Sequence, residues 1–271
     1  MIHTHKMAWD KCLSHQIWPA IEKGWKDEGK DVHFFWGLAA NNRPAIQQCI
    51  DWGLEWWFVD TGYLSNQITR YPVPVINDFD KTYFRIIKGG IHTNNFKTTT
   101  PDRRNKLIKQ GIDAEFKGWK DNGEHVLLCP SSPTVTYYVN DISQQDWIQQ
   151  VGEEVRKHTD RPIKIRNKPR PGNEWWGTNV KDDLKNAWCV VTNMSLAAID
   201  GILNMTPAFT HQKHVASLIS GQHQLVERPY KPEREKVEEW LNMVANHQFT
   251  IQEIEDGLAF DTLKEQYQKD G

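Results

Sequence analysis

Apolar residues recur every four positions early in the chain, at Trp9, Leu13, Ile17, Ile21 and Trp25. That spacing predicts a helix over 8–28. Val32-His33-Phe34-Phe35-Trp36 is a short β-branched and aromatic run ending at Gly37, the pattern of a buried strand. Residues 44–52 read as a helix, and Trp56-Trp57-Phe58-Val59 as a second buried strand closing at Asp60-Thr61-Gly62. Residues 83–87 read as a third strand, with turn-rich loops over 71–80 and 89–101. Further on the alternation is cleaner. A strand over 126–129 ends in Pro130-Ser131-Ser132-Pro133, and a helix over about 143–158 has Ser143 as N-cap and Trp147, Val151 and Val155 on one face. A strand at 162–165, a short helix at 181–187, a strand at 188–192, a helix at 195–203 and a strand at 207–210 follow. Helices over about 232–246 and 250–268 close the pattern.

Strand–helix alternation implies parallel sheets with right-handed crossovers. Two such runs, divided near the polar stretch 117–124, predict an α/β protein of two Rossmann-like domains, 1–120 and 121–271, facing across a cleft. Ligands in such sheets sit at the carboxyl ends of strands. A length of 271 residues accommodates both cores. Composition adds exclusions: 38% hydrophobic and 25% charged residues are ordinary for a soluble globular protein and argue against disorder or a fibre. No apolar run of membrane-spanning length occurs, and the first six residues hold no apolar leader segment, so a cytoplasmic protein without a membrane partner is expected. Cys12, Cys49, Cys129 and Cys189 lie far apart in apolar stretches and read as reduced, buried thiols.

The formal net charge of −2 excludes a nucleic-acid coat that binds by charge alone, but it hides local imbalance. Acidic residues dominate 227–271, and two basic clusters stand out: Arg103, Arg104, Lys106 and Lys109, then Arg161, Lys164, Arg166, Lys168 and Arg170. The second follows a predicted strand and delivers cations to the loop at its carboxyl end. Ser195, in Thr192-Asn193-Met194-Ser195, stands where a helix opens beyond another strand's carboxyl end. Free N–H groups and the positive dipole end there suit a phosphate, and Asp200 in the same helix suits a ribose diol. Arg166 offers a planar fork and Lys168 a point charge from the other side. The blander readings stay open: Ser195 as a mere cap, Asp200 as a solvated helix residue and the cations as a solvated loop. His211, His214 and His223 lack carboxylate or thiol neighbours at ligand spacing, so no metal site is expected. They lie instead in a loop placed to cover a donor's base or phosphates. Walker, GxGxxG and GxSxG motifs are absent.

The stretches Thr159–Pro169 and Ala187–Ser195, the helix Ala197-Ala198-Ile199-Asp200-Gly201, and Gln248–Ile254 with Gly257 resemble the glycosyltransferase-B superfamily, most closely a group from tailed bacteriophages. The likeness covers roughly 120–260 well and the first half only through residues 57–63 and 83–85. It implies a GT-B-like fold whose terminal helices pack across both domains, and transfer of a sugar from a nucleotide-diphosphate donor, a UDP-sugar, to a hydroxyl. Donor-binding residues would be Ser131, Ser132, Arg166, Lys168, Asn193, Met194, Ser195 and Asp200. Asp200 stands where the family usually has Glu, and Met205 replaces a family Gly. Catalysis then needs stabilisation of the leaving group's negative charge, a task for Arg166 that requires no metal. It also needs a base for the acceptor hydroxyl. Asp60, at the end of a buried strand, is the candidate, against the plainer reading of a turn-forming Asp. Arg85 and His92 are weaker candidates.

Thirteen Trp residues is a heavy load. Trp9, Trp25, Trp36 and Trp52 read as core; of the adjacent Trp56 and Trp57, one is free to face outward. Trp175 and Trp176, in a Gly/Pro-rich loop, suit stacking on sugars or bases, or folding back on their own domain. Three acceptor readings follow. The first is double-stranded phage DNA carrying hydroxymethylcytosine, its base flipped and its backbone held by Arg85, Arg103, Arg104, Lys106 and Lys109, with Trp175 stacking. The second is a polysaccharide or small carbohydrate. The third, from another class, is a non-catalytic nucleic-acid-binding module that keeps the fold.

Overall fold

The apolar runs become strands because both of their faces are covered, which the sequence signals by dispensing with polar alternation. The computed structural model describes residues 1–5, 13–26, 29–38, 41–94 and 100–267. The chain forms two units, Met1–Asp113 with Asn242–Gly271, and Ala114–Leu241.

The first unit holds β1 (Ile2–His5), α1 (Ser14–Gly24), β2 (Val32–Trp36), α2 (Asn42–Asp51), β3 (Glu55–Thr61), the two-residue strands β4 (Ile68–Thr69) and β5 (Val75–Ile76), β6 (Phe84–Lys88) and α3 (Asp102–Lys109). The second holds β7 (His125–Leu128), α4 (Pro133–Asn140), α5 (Gln144–Arg156), β8 (Ile163–Ile165), α6 (Val180–Leu184), β9 (Ala187–Val191), α7 (Ala197–Leu203) and β10 (Ala208–Phe209). Two 3₁₀ turns, Ser217–Ile219 and His223–Leu225, follow. Helix α8 (Arg234–Ala245) carries the chain back to the first unit, which β11 (Gln248–Phe249), α9 (Ile251–Glu255) and α10 (Leu258–Tyr267) complete. The division expected at 120/121 therefore moves to 113/114, and the terminal segment changes sides. Pairing explains this: β11 lies against β6, with Gln248 opposite Arg85 and Phe249 opposite Phe84.

The sheet of the second unit, ordered β10-β9-β7-β8, is parallel throughout, as the alternation predicts. That of the first, ordered β1-β2-β3-β6-β11, is not. Strands β1, β2 and β3 are parallel, but β6 runs antiparallel to β3 and β11 antiparallel to β6. Between β3 and β6 the chain makes only the small β4–β5 ladder, too little for the crossover that a parallel return needs.

One face of this sheet buries Phe34, Trp57, Phe84 and Phe249 against Ile17 and Ile21 of α1, Ile254 of α9 and Phe260 and Leu263 of α10. Helix α1 lies so close to α9 that a Cβ built on Gly24 would collide with the Ile254 carbonyl. The helix expected over 250–268 is two helices. Thr250 and Glu253 form a capping box that starts α9, and Gly257, at φ +86°, turns the chain into α10. In the second unit Trp147 and Val155 of α5 pack on Val126, Leu128, Cys189, Val191 and Phe209. Gly201 lets α7 approach β9, where a Cβ would stand 2.9 Å from a Val190 methyl.

Helix α5 with Ser143 as its cap matches the expectation, Ser143 Oγ accepting from Asp146 N at 3.0 Å. Three of the four cysteines, Cys49, Cys129 and Cys189, are buried free thiols; Cys12 and Trp9 lie outside the described residues. Trp25 and Trp36 are core. Trp52, expected there too, is 67% exposed at the end of α2, whereas Trp56 and Trp57 are both buried because β3 has cover on each face. Among the described residues no helix is long and apolar enough to cross a membrane.

Candidate functional site

Strand order in the second unit places the site. From β7 the chain crosses to β8 on one side and returns to β9 on the other, so a crevice opens where the loops after β7 and β9 diverge. The side chains there tie these two loops together. Asn193 Oδ1 accepts from Ser131 N at 3.0 Å, while its Nδ2 donates to Asn140 Oδ1 at 3.1 Å and Thr136 Oγ1 at 3.3 Å. Ser131 Oγ accepts from Met194 N at 3.0 Å, and Ser131, Asn193 and Met194 are all buried. Ser132 caps α4, accepting from Val135 N at 3.4 Å.

The opening of α7 differs from expectation. Helix α7 begins at Ala197 with Leu196 at its cap position, and the Met194 and Ser195 amides before it already have partners. Ser195 N donates to Thr192 Oγ1 at 3.1 Å and Ala197 N to Ser195 Oγ at 3.3 Å. His214, fully buried, sits 3.2 Å from the Ser195 carbonyl through Nε2, and its Nδ1 accepts from Ala216 N at 3.0 Å. Accepting at Nδ1 makes Nε2 the protonated nitrogen, so His214 is a neutral clasp on this loop and not a metal ligand. Among the described residues no His, Cys, Asp or Glu group is arranged to hold a metal.

Arg166 is a correction. Its guanidinium is buried, with Nη1 on Asp183 and Nη2 donating to Thr178 Oγ1 at 3.0 Å, so its fork is engaged within the unit. A buried guanidinium needs a counter-charge, and α6 supplies one. Arg166, Asp183 and Asp200 all lie within electrostatic reach of the Cys129 thiol, which burial pushes up to about 12. Residues 166 and 200 thus do gather near the end of β7, with Arg166 engaged by Asp183. Lys168 is exposed in the following loop, Asp200 is half-buried on α7, and Trp175 is half-buried.

A cavity of about 520 Å³ lies at the carboxyl ends of β9 and β10. Its floor is Trp147, Val151, Val191 and Phe209. Its rim is Asn140, Thr192, Asn193, Thr210, His211 and the segment 221–224. An apolar floor with amide and imidazole groups around it suits a flat heterocycle with hydrogen-bonding edges. Of the nominated donor residues Asn193 lines it, and of the three histidines His211 and His223 do. Burial lowers the proton affinity of both imidazoles, with Lys213 adding to the effect at His211. The sequence puts Trp147 on one face of a helix and Phe209 in a strand, and no motif in it singles out Gln222 and Gln224. The Gly221-Gln222-His223-Gln224 run after the last strand was the available signal.

In the first unit Asp60 sits within β3, which extends to Thr61, not at its end. Its Oδ1 accepts from Thr61 N at 2.7 Å, and its Oδ2 lies 3.0 Å from Arg85 Nη2. Residues 60 and 85 are cross-strand partners in the antiparallel pair, which brings them together. His92 is buried with its ring 5.5 Å from that of Tyr63.

Of the cations expected to hold DNA phosphates, Arg85 and Arg103 are internal, whereas Lys106 and Lys109 are exposed. Arg103 donates to Glu253 Oε2 at 2.9 Å and to the Gln248 carbonyl at 2.7 Å, and its guanidinium stacks 4.6 Å from the Phe249 ring centroid. Lys106 joins the same carboxylate at 2.7 Å. Burial raises the proton affinity of Glu253, but Arg103 and Lys106 outweigh it and hold the carboxyl below its usual range. Arg85 is only 6% exposed, and Arg104 is half-buried on α3.

No family model matches the sequence, and no curated protein does. Among solved structures the chain is similar to the β-Kdo 2,7 transferase of Thermosulfurimonas dismutans KpsC, with a TM-score of 0.50 at 10% identity over 96% of this chain and 98% of that one. The β-Kdo 2,4 transferase of the same organism's KpsC gives a TM-score of 0.48 at 13% identity, over 83% and 85%. Likeness at this identity is likeness of fold: the chain has a GT-B-like α/β fold.

Proposed function

We propose that this protein is a glycosyltransferase that moves a sugar from a nucleotide-activated donor, a UDP-sugar by the sequence resemblance, to a hydroxyl of a carbohydrate acceptor. The observation that carries the reading is the 520 Å³ cavity at the carboxyl ends of β9 and β10, with its apolar floor and polar rim. In this reading the nucleobase occupies that cavity. Ser195 and Lys168 serve the phosphates, and Asp200 serves the ribose. The bond between the sugar's anomeric carbon and the phosphate oxygen breaks, and the acceptor oxygen takes its place. The nucleotide leaves with the electron pair, and Asp60 takes the acceptor's proton.

A carbohydrate acceptor is favoured over DNA because Arg85 and Arg103 are engaged inside the first unit. A duplex would need those cations at the surface.

Calorimetry against UDP and a panel of other nucleotides is the first test. The double variant Gln222→Ala/His223→Ala, at the cavity rim, is expected to weaken nucleotide binding about tenfold, the loss of about 1.4 kcal/mol, without lowering the melting temperature. Unchanged affinity would remove the cavity from the reading. The second test incubates nucleotide sugars with oligosaccharides, hydroxymethylated DNA or plain DNA and weighs the products. A mass increment on the oligosaccharide alone is expected, and an increment on the hydroxymethylated DNA would overturn the acceptor assignment.

A further inference from the structure

We infer that Arg85 is a positioning residue that fixes which way the Asp60 carboxylate faces. The inference rests on the assignment of Asp60 as the acceptor's base. Arg85 stands on β6 directly opposite Asp60 on β3, and the pair is asymmetric: the Arg85 side chain is 7% exposed and that of Asp60 32%. The guanidinium donates to the Thr61 carbonyl at 2.7 Å through Nη1 and to Asp60 Oδ2 at 3.0 Å through Nη2. The rings of Phe58 and Tyr63 lie 5.4 Å from its central carbon, so it has little room to turn. The carboxylate is held from the other side by Thr61 N, and Thr61 Oγ1 accepts in turn from Arg70 Nη2 at 3.2 Å. The groups around Asp60 include Arg85 from β6, Arg70 from the segment after β4, and the phenol of Tyr63.

Stability alone does not account for this cluster. A buried ion pair is commonly matched or bettered by apolar residues of the same volume. Here the fold also leaves Tyr63 Oη, Arg85 Nε and Gln248 Nε2 buried without hydrogen-bond partners among the described residues. Unmet donors gathered behind a half-exposed carboxylate are what a site looks like when geometry is selected ahead of stability.

The test uses Arg85→Met, Arg85→Lys, Asp60→Asn and the double variant Asp60→Asn/Arg85→Met in the full chain. In Arg85→Met, kcat is expected to fall about 10- to 100-fold while the donor's KM stays unchanged, as a misaimed group costs rate and not affinity. The same change on the Asp60→Asn background is expected to cost nothing more. Arg85→Lys, which keeps the charge but loses the fork, should fall between, and it carries the test if the methionine variant does not fold. Carbon-13 NMR of the Asp60 carboxyl gives a readout that needs no turnover. Its titration midpoint is expected to rise in Arg85→Met, because a neighbouring positive charge is removed. Additive losses in the double variant, or an unmoved midpoint in a folded Arg85 variant, overturn the inference. A wild-type protein that transfers no sugar overturns the proposed function instead, and the NMR result still judges the pair.

Discussion

The two units solve the edge of a sheet in opposite ways. In the second, all four strands run in one direction, and the loops after β7, β8 and β9 each lead into a helix. The loops after β7 and β9 are tied to each other through Asn193 and Ser131, and beside them a cavity stays open to a ligand. In the first, β6 lies antiparallel to β3 and β11 antiparallel to β6, and each carries a polar side chain into the same buried place: Arg85 from β6 and Gln248 from β11. The parallel sheet makes room, whereas the mixed sheet places charge. A parallel neighbour would have sent its chain away through a helix and could not have set Arg85 opposite Asp60 in register.

The difference is open to attack by substitution. The strongest expected effect is Glu253→Ala, which strands Arg103 among the elements that close the mixed sheet and should cost about 3–5 kcal/mol. Hydrogen exchange is expected to show protection lost in β6, β11 and α9 and kept in β7 and β9. Because the folded-state affinity of Glu253 for protons is depressed, its contribution is present above the usual glutamate range and fades as pH falls through the folded value. Melting curves of wild type and variant should accordingly converge toward acid. Gly24→Ala comes next, at about 2 kcal/mol, as α1 must withdraw from α9, again with the second unit spared. Asn193→Ala attacks the other unit. It orphans Ser131 N, should cost about 1.5 kcal/mol by chemical denaturation, and should weaken nucleotide binding. The smallest effect is a gain. Met205 holds a left-handed conformation at φ +61°, so Met205→Gly should stabilise the second unit by about 0.5–1 kcal/mol.

Sequence legibility followed burial on both faces. Val32–Trp36 and His125–Leu128 are readable because an uninterrupted apolar run has few other fates. Strand β1 was not, since His3 and His5 interrupt it and stack on His33 and Phe35 at one sheet edge. Helix α3 was read as bare charge because its only buried residue is Leu107. Direction is invisible to periodicity, so β6 reads as one more parallel strand, and β11, two residues long, leaves no strand pattern at all. The site divides similarly. The turn at 192–195 was legible as a strand-to-helix junction, but the burial of Arg85, Arg103 and Arg166 was not. Each depends on a carboxylate remote in sequence, and a lone cation in a sequence always looks solvated.

Strand β11 gives the first unit an unusual dependence on chain order. Residues 84–88 await 248–249, with the whole of 114–241 in between. During synthesis from the amino end the second unit has all its strands available while β6 still presents a bare backbone ladder. The later-numbered unit is then the earlier to mature, and the site around Asp60 and Arg85 is completed last, when Gln248 arrives.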